Sequence, residues 1–183
     1  PQSGRGSVGH RGASVVLALL QWALAAYPVK PPVVLVVVVD QLRSDQLSHL
    51  QPGGTFGRLR AQGAFFPQAE YEIAASMTCP GHATILTGAY PRSHGIPFNA
   101  WYDRTTQKEV YCVSDPEHGY SPKNLRGTTL GDELKVARPG SRVFSFSLKD
   151  RSAIALGGRA ADAVFWFDEK KGGFVTSTFY AQE

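Results

Sequence analysis

Val33-Val-Leu-Val-Val-Val-Val39, with Asp40 directly after it, is apolar at all seven positions and β-branched at six. A strand with one wet face alternates polar and apolar side chains. This one does not, so both of its faces should be buried, as in a central parallel strand. Asp40 would then stand at the C-terminal edge of the sheet, where open α/β folds place their sites. Beyond it, helix-like and strand-like patterns take turns, which predicts an α/β fold with a central, mainly parallel sheet flanked by helices. Residues 57–62 read as a helix closed by Gly63, and Ala64-Phe-Phe66 begins a short strand. Residues 80–86 read as a helix, with Pro80 near its first position and Gly88 past its end. Residues 101–113 suggest a hairpin turning near Arg104-Thr-Thr-Gln107. Residues 128–136 read as a helix and 142–148 alternate as a strand. Residues 162–167 and 173–179 form a second hairpin around Lys170-Lys-Gly-Gly173. The sequence stops at Glu183 just after a strand, so the fold is expected to be incomplete at its C-terminus.

Upstream of the valine run the pattern changes. Arg5 and Arg11 precede Ala13-Ser-Val-Val-Leu-Ala-Leu-Leu-Gln-Trp-Ala-Leu-Ala-Ala26, which ends in the small-x-small pattern Ala23-Leu-Ala25. Pro28, Pro31 and Pro32 follow. Residues 1–25 are thus expected to be an export signal, leaving 26–183 as one domain or part of one. A membrane anchor is the competing reading, but 14 residues with a Gln inside fall short of the roughly 20 that span a bilayer. Export, to the periplasm or beyond, would permit a disulfide between Cys79 and Cys112, although nothing in the sequence says whether they meet. The net charge of +4 falls to +2 once residues 1–25 are set aside, and no Lys/Arg run follows. Nucleic-acid binding is therefore not expected, and membrane contact only through the signal.

Three features carry chemistry. Asp40, at the strand end, suits either a metal ligand or a helix N-cap. Ser76-Met-Thr-Cys-Pro-Gly-His82 turns into a helix, and Thr78 lies near the N-terminus, where backbone N–H groups and the dipole favour an anion. Thr78 is either an N-cap or a nucleophile. In the second case its hydroxyl needs a metal or base to take its proton. No Gly-x-Ser-x-Gly elbow supports a serine hydrolase. Leu148-Lys-Asp-Arg151 follows a strand, so Lys149 and Arg151 can turn toward one cleft. A point charge and a planar fork together suit a dianionic phosphate, the alternative being a solvated pair.

Val39-Asp40-Gln-Leu-Arg-Ser-Asp45, Thr78-Cys-Pro-Gly-His-Ala-Thr-Ile-Leu-Thr-Gly-Ala-Tyr-Pro-Arg-Ser-His-Gly-Ile96 and Asn99-Ala-Trp-Tyr-Asp103 resemble the alkaline phosphatase superfamily. The match is to its nucleotide pyrophosphatase/phosphodiesterase-like branch and its threonine-nucleophile alkaline phosphatases, from about Val33 to the last residue. The resemblance implies that residues 26–183 are the N-terminal part of such a catalytic domain. It makes Asp40 a zinc ligand, Thr78 the nucleophile bound to the same ion, and Asn99 a donor to a phosphoryl oxygen. Lys149 and Arg151 match the Lys-x-Arg pair of the threonine-type phosphatases, which the diesterases lack, so the expected substrate is a small phosphate monoester. The implied reaction passes through a phospho-threonine and uses two zinc ions. His82 and His94 are assigned no metal and are expected to hydrogen-bond around the turns.

The departure from the family is the ligand set. Only Asp40 and Thr78 are present, the last histidine is His118, and the remaining Asp and His ligands are expected beyond residue 183. This stretch alone is expected to be inactive. Two other readings stay open, a phosphodiesterase or nucleotide pyrophosphatase of the same superfamily and a non-catalytic exported fragment.

Overall fold

A computed structural model describes residues 33–49 and 51–181, so the expected signal at 1–25 lies outside the described residues. The chain divides into two compact units between Val37 and Val38. In the first, Val33 to Val37 carry no regular secondary structure and are exposed, Val33 at 90%. Val38 and Val39, in the second unit, also belong to no ladder. This corrects the expectation of a buried central strand over 33–39. A strand becomes central only when others hydrogen-bond along both its edges, and no described strand pairs with this run. The apolar pattern states what the segment would bury, and it supplies no partner.

The second unit begins with a 3-10 turn, Ser44–His49, and helix α1, Thr55–Gln62, whose C-cap Gly63 donates its N–H to the Leu59 carbonyl. The strand expected at 64–66 is absent. Those residues pair with no strand, and Phe66 is exposed. Helices α2 (Thr78–Thr87) and α3 (Pro91–His94) come next, each closed by a glycine in the left-handed region, Gly88 and Gly95. An antiparallel hairpin joins β1 (Ala100–Asp103) to β2 (Lys108–Tyr111), as expected for 101–113. A smaller pair, β3 (Ser114–Asp115) and β4 (Gly119–Tyr120), follows.

Helix α4, Leu130–Ala137, starts one position after Thr129, which caps it. Thr129 accepts the Asp132 N–H while the Asp132 carboxylate accepts the Thr129 N–H at 2.8 Å, a reciprocal capping box. The other Asp132 oxygen accepts the Ala160 N–H at 2.7 Å and so ties α4 to a later loop.

Strand β5 (Phe144–Ser147), helix α5 (Asp150–Gly157) and strand β6 (Ala163–Asp168) form a strand–helix–strand unit in which β5 and β6 are parallel. Strand β7, Gly173–Val175, adds antiparallel to β6. It ends four residues before the expected 179, because the Ser177 carbonyl accepts the Tyr180 and Ala181 N–H groups and turns the chain. Helix α5 covers one face of this sheet, where the Ser145 hydroxyl donates to the Ala153 carbonyl at 2.7 Å. Helix α2 packs in turn on α5. Their shared core contains Cys79, Ala83, Ile96, Cys112, Ile154 and Val164. On the other face Phe146 stacks on Phe165 and is 62% exposed.

Candidate active site

Helix α2 begins without a side-chain cap. Its N-cap is Met77, in extended backbone, and Thr78 is the first helical residue. Pro80 falls in the first turn, where a missing N–H costs nothing because those donors have no intrahelical partner. The N-cap reading of Thr78 therefore fails, and its hydroxyl is free for another use. It donates to Asp40 Oδ2 at 3.3 Å.

The same carboxylate oxygen accepts Lys149 Nζ at 2.6 Å. Lys149 is the N-cap residue of α5 and Arg151 the second residue of that helix. The pair does not stand at the end of the strand expected over 142–148: strand β5 stops at Ser147, and the pair opens a helix instead. The signs of it were present: an acid in the first turn, Asp150, then Ala153-Ile-Ala-Leu156, then Gly158 beyond the end. Two packed helices thus present their N-termini, with Thr78 on one and Lys149 and Arg151 on the other, and Asp40 joins Thr78 to Lys149.

Asp40 lies in a turn followed by Gln41, a non-glycine residue at φ 63°. Such a backbone costs about 1 kcal/mol or more and persists where surrounding contacts hold it. The hydrogen bond from Lys149 is the main reason the Asp40 carboxyl is held below the usual carboxylate range. Asn99 also meets the first turn of α2. Its Oδ1 accepts the Cys79 N–H at 2.8 Å, and its backbone carbonyl accepts the Cys112 N–H at 2.9 Å. Cys79 and Cys112 are joined in a disulfide with Cα atoms 6.6 Å apart, which settles a pairing the sequence left open.

The two histidines are committed to local bonds. His82 is buried and its Nδ1–H donates to the Thr78 carbonyl at 2.7 Å. Burial pushes its pKa down, against the pull of Asp40. His94 accepts the Ile96 N–H at Nδ1, so its Nε2 carries the proton toward the Thr84 hydroxyl at 3.0 Å. Tyr111 and Asp150, which no sequence argument singled out, contact Arg151. Tyr111 Oη accepts from Arg151 Nη1 at 3.2 Å and donates to Asp150 Oδ1 at 2.7 Å. Their signal is purely spatial, since 39 positions separate them in sequence.

As a cation site the arrangement supplies oxygen donors. Asp40 is a partly exposed carboxylate already holding one cation, Lys149, with a hydroxyl beside it. That donor set suits part of a zinc site. Among the described residues, no three His, Cys, Asp or Glu side chains converge.

Residues 34–182 match the family described as type I phosphodiesterase / nucleotide pyrophosphatase. The chain belongs to that family. This phosphodiesterase-family chain is 39% identical over 163 residues to alkaline phosphatase PhoK of a Sphingomonas species, a stretch covering 82% of the chain and 29% of PhoK. It is 38% identical over 170 residues to alkaline phosphatase PafA of Elizabethkingia meningoseptica, covering 84% of the chain and 31% of PafA. The crystal structure of wild-type PafA superposes with a TM-score of 0.76 at 38% identity, over 80% of this chain and 31% of that one. A PafA variant substituted at a threonine, an asparagine, a lysine and an arginine matches equally well, at 36% identity and TM-score 0.76. The α/β fold is therefore that of the alkaline phosphatase superfamily. The chain spans about a third of the length of these relatives.

Proposed function

We propose that the full-length protein hydrolyses small phosphate monoesters with Thr78 as its nucleophile. The observation that carries this is the meeting of the Thr78 hydroxyl and the Lys149 ammonium on one oxygen of Asp40, at the N-termini of two packed helices. Two positive helix ends and a Lys-x-Arg pair form a setting for a phosphoryl dianion. The spacing of the candidate residues supports the reading. Thr78 and Asn99 are 21 positions apart, and Lys149 and Arg151 two, as are the substituted threonine and asparagine, and lysine and arginine, of the PafA variant.

In this reading Thr78 Oγ releases its proton and attacks phosphorus in line, while the leaving oxygen departs with the bonding electron pair and takes up a proton from water. A phospho-threonine results, which water then cleaves. Asn99 keeps its Oδ1 on the Cys79 N–H, which turns its amide nitrogen into the donor available for a phosphoryl oxygen. Lys149 and Arg151 hold the remaining charged oxygens, where fixed donors act most strongly as charge spreads in the transition state. Asp40 and Thr78 are the residues of this chain that would hold zinc. When bound there, zinc lowers the pKa of the hydroxyl it touches and offsets negative charge. The Cys79–Cys112 disulfide supports an exported protein, because such bonds persist in oxidising compartments.

The test uses the full-length protein with aryl phosphate mono- and diesters. Thr78→Ala is expected to abolish turnover and Thr78→Ser to retain part of it. The Lys149→Ala/Arg151→Ala double variant should lose monoester kcat/KM by roughly 100-fold or more, with a much smaller loss on the diester. Equal losses on both substrates would overturn the monoester assignment. A wild-type preference for the diester would favour the phosphodiesterase reading.

A further inference from the structure

Arg151 is tied to one carboxylate directly at its backbone and through a hydroxyl at its guanidinium. Its backbone N–H donates to Asp150 Oδ1 at 2.6 Å, while its guanidinium lies 3.9 Å from the same oxygen, too far for a direct hydrogen bond. The Tyr111 hydroxyl fills that gap, accepting from Arg151 Nη1 and donating to Asp150 Oδ1. Burial and the bond to Asp150 push the Tyr111 pKa up to about 12, so the phenol stays neutral and the bond keeps its direction.

The tyrosine ring is itself fixed. It meets Tyr120 edge-on at 6.4 Å, and Tyr120 meets the core residue Trp166 edge-on at 5.8 Å. Tyr111 closes β2 and precedes Cys112, whose disulfide partner Cys79 follows Thr78. A continuous path of covalent bonds and one hydrogen bond, of 3.2 Å, thus runs from the nucleophile to the guanidinium. An arginine in water samples many rotamers, and a preset one loses less freedom when it binds an anion. We infer that Tyr111, acting with Asp150, is the positioning residue that holds the Arg151 guanidinium for the phosphoryl group of a monoester. The inference rests on the function proposed above. Neither residue touches substrate in this scheme, since each acts through Arg151.

Tyr111→Phe removes the hydroxyl and leaves the ring contacts. In the full-length protein it is expected to lower monoester kcat/KM by roughly 10-fold, with little change on a diester, and to weaken inhibition by inorganic phosphate in parallel. Placed on an Arg151→Ala background, the same substitution should have almost no further effect, because the residue it positions is gone. Asp150→Ala, which removes the acceptor that Tyr111 uses, should reproduce the pattern and serves if Tyr111→Phe folds poorly. Equal losses with and without Arg151, or equal losses on mono- and diesters, would overturn the inference and leave Tyr111 a packing residue. An enzyme that needs Arg151 but tolerates Tyr111→Phe removes this inference alone. A wild-type protein inactive on phosphate esters removes it together with the proposed function.

Discussion

Asn99 illustrates how one side chain is divided between structure and chemistry. Its carbonyl oxygen is spent on the Cys79 N–H, next to the candidate nucleophile, and only the amide N–H groups remain. Asn99→Asp keeps the acceptor and replaces those donors by a negatively charged oxygen. The expected result is a loss of roughly 100-fold or more in monoester kcat/KM, greater than that of Asn99→Ala, because repulsion is added to a missing donor. Steady-state kinetics of the two variants decide the point, and a loss under about threefold for Asn99→Asp would remove Asn99 from the site. Asp40 follows the same logic of shared use. Its Oδ2 serves both Thr78 and Lys149, so Asp40→Asn should disturb both candidates at once.

Helix α4 supplies none of these residues and isolates what capping contributes. Thr129 is fully buried and its hydroxyl both accepts from and donates to Asp132. Thr129→Ala is expected to lower unfolding free energy by about 1–2 kcal/mol, read from denaturant titration, without changing kcat. A second anchor lies where β5 meets the loop before β6. Asp162 accepts Lys135 Nζ at 2.8 Å and the Val143 N–H at 2.7 Å. These bonds, the lysine's first, hold its carboxyl below the ordinary range. A depressed acid binds its proton less readily in the folded protein than in the unfolded chain. Its contribution is therefore complete above the unfolded value of 3.8 and lost as pH falls through the folded one. Melting temperature against pH should fall more steeply on the acid side for wild type than for Asp162→Asn, with the two curves converging. Curves that stay parallel throughout that range would show that Asp162 contributes nothing there.

At the scale of the molecule the disulfide organises the described unit. It closes a loop of 33 residues between the first turn of α2 and the end of the β1–β2 hairpin, and both sulfurs lie in the core shared with α5. Closing such a loop in the unfolded chain accounts for about 3–4 kcal/mol in the chain-entropy treatment. A reductant should lower the denaturation midpoint of the full-length protein and leave that of a Cys79→Ala/Cys112→Ala variant unmoved. Equal midpoints for oxidised and reduced wild type would mean that packing alone holds the two segments together. The same unit leaves one sheet face uncovered, with Phe144, Phe146 and Phe174 more than half exposed.

Family and fold class were legible in the sequence because each is written in short, ordered stretches. Thr78 to Ile96 is one such stretch, and the helix after Pro80 with its Gly88 terminator follows from local backbone preference. The Lys-x-Arg pair could be recognised as a pair, yet its place at the start of α5 could not be separated from a strand end by spacing alone. The valine run shows the opposite limit. Its pattern records a demand for burial on both faces, whereas strand formation needs hydrogen-bonding partners that no local pattern contains. Only the tertiary structure decided that Thr78 meets Asp40, that Cys79 meets Cys112, and that Tyr111 bridges Asp150 and Arg151. Those facts join residues 33 to 40 positions apart, and over that separation the path of the folded backbone, rather than sequence spacing, sets which side chains meet.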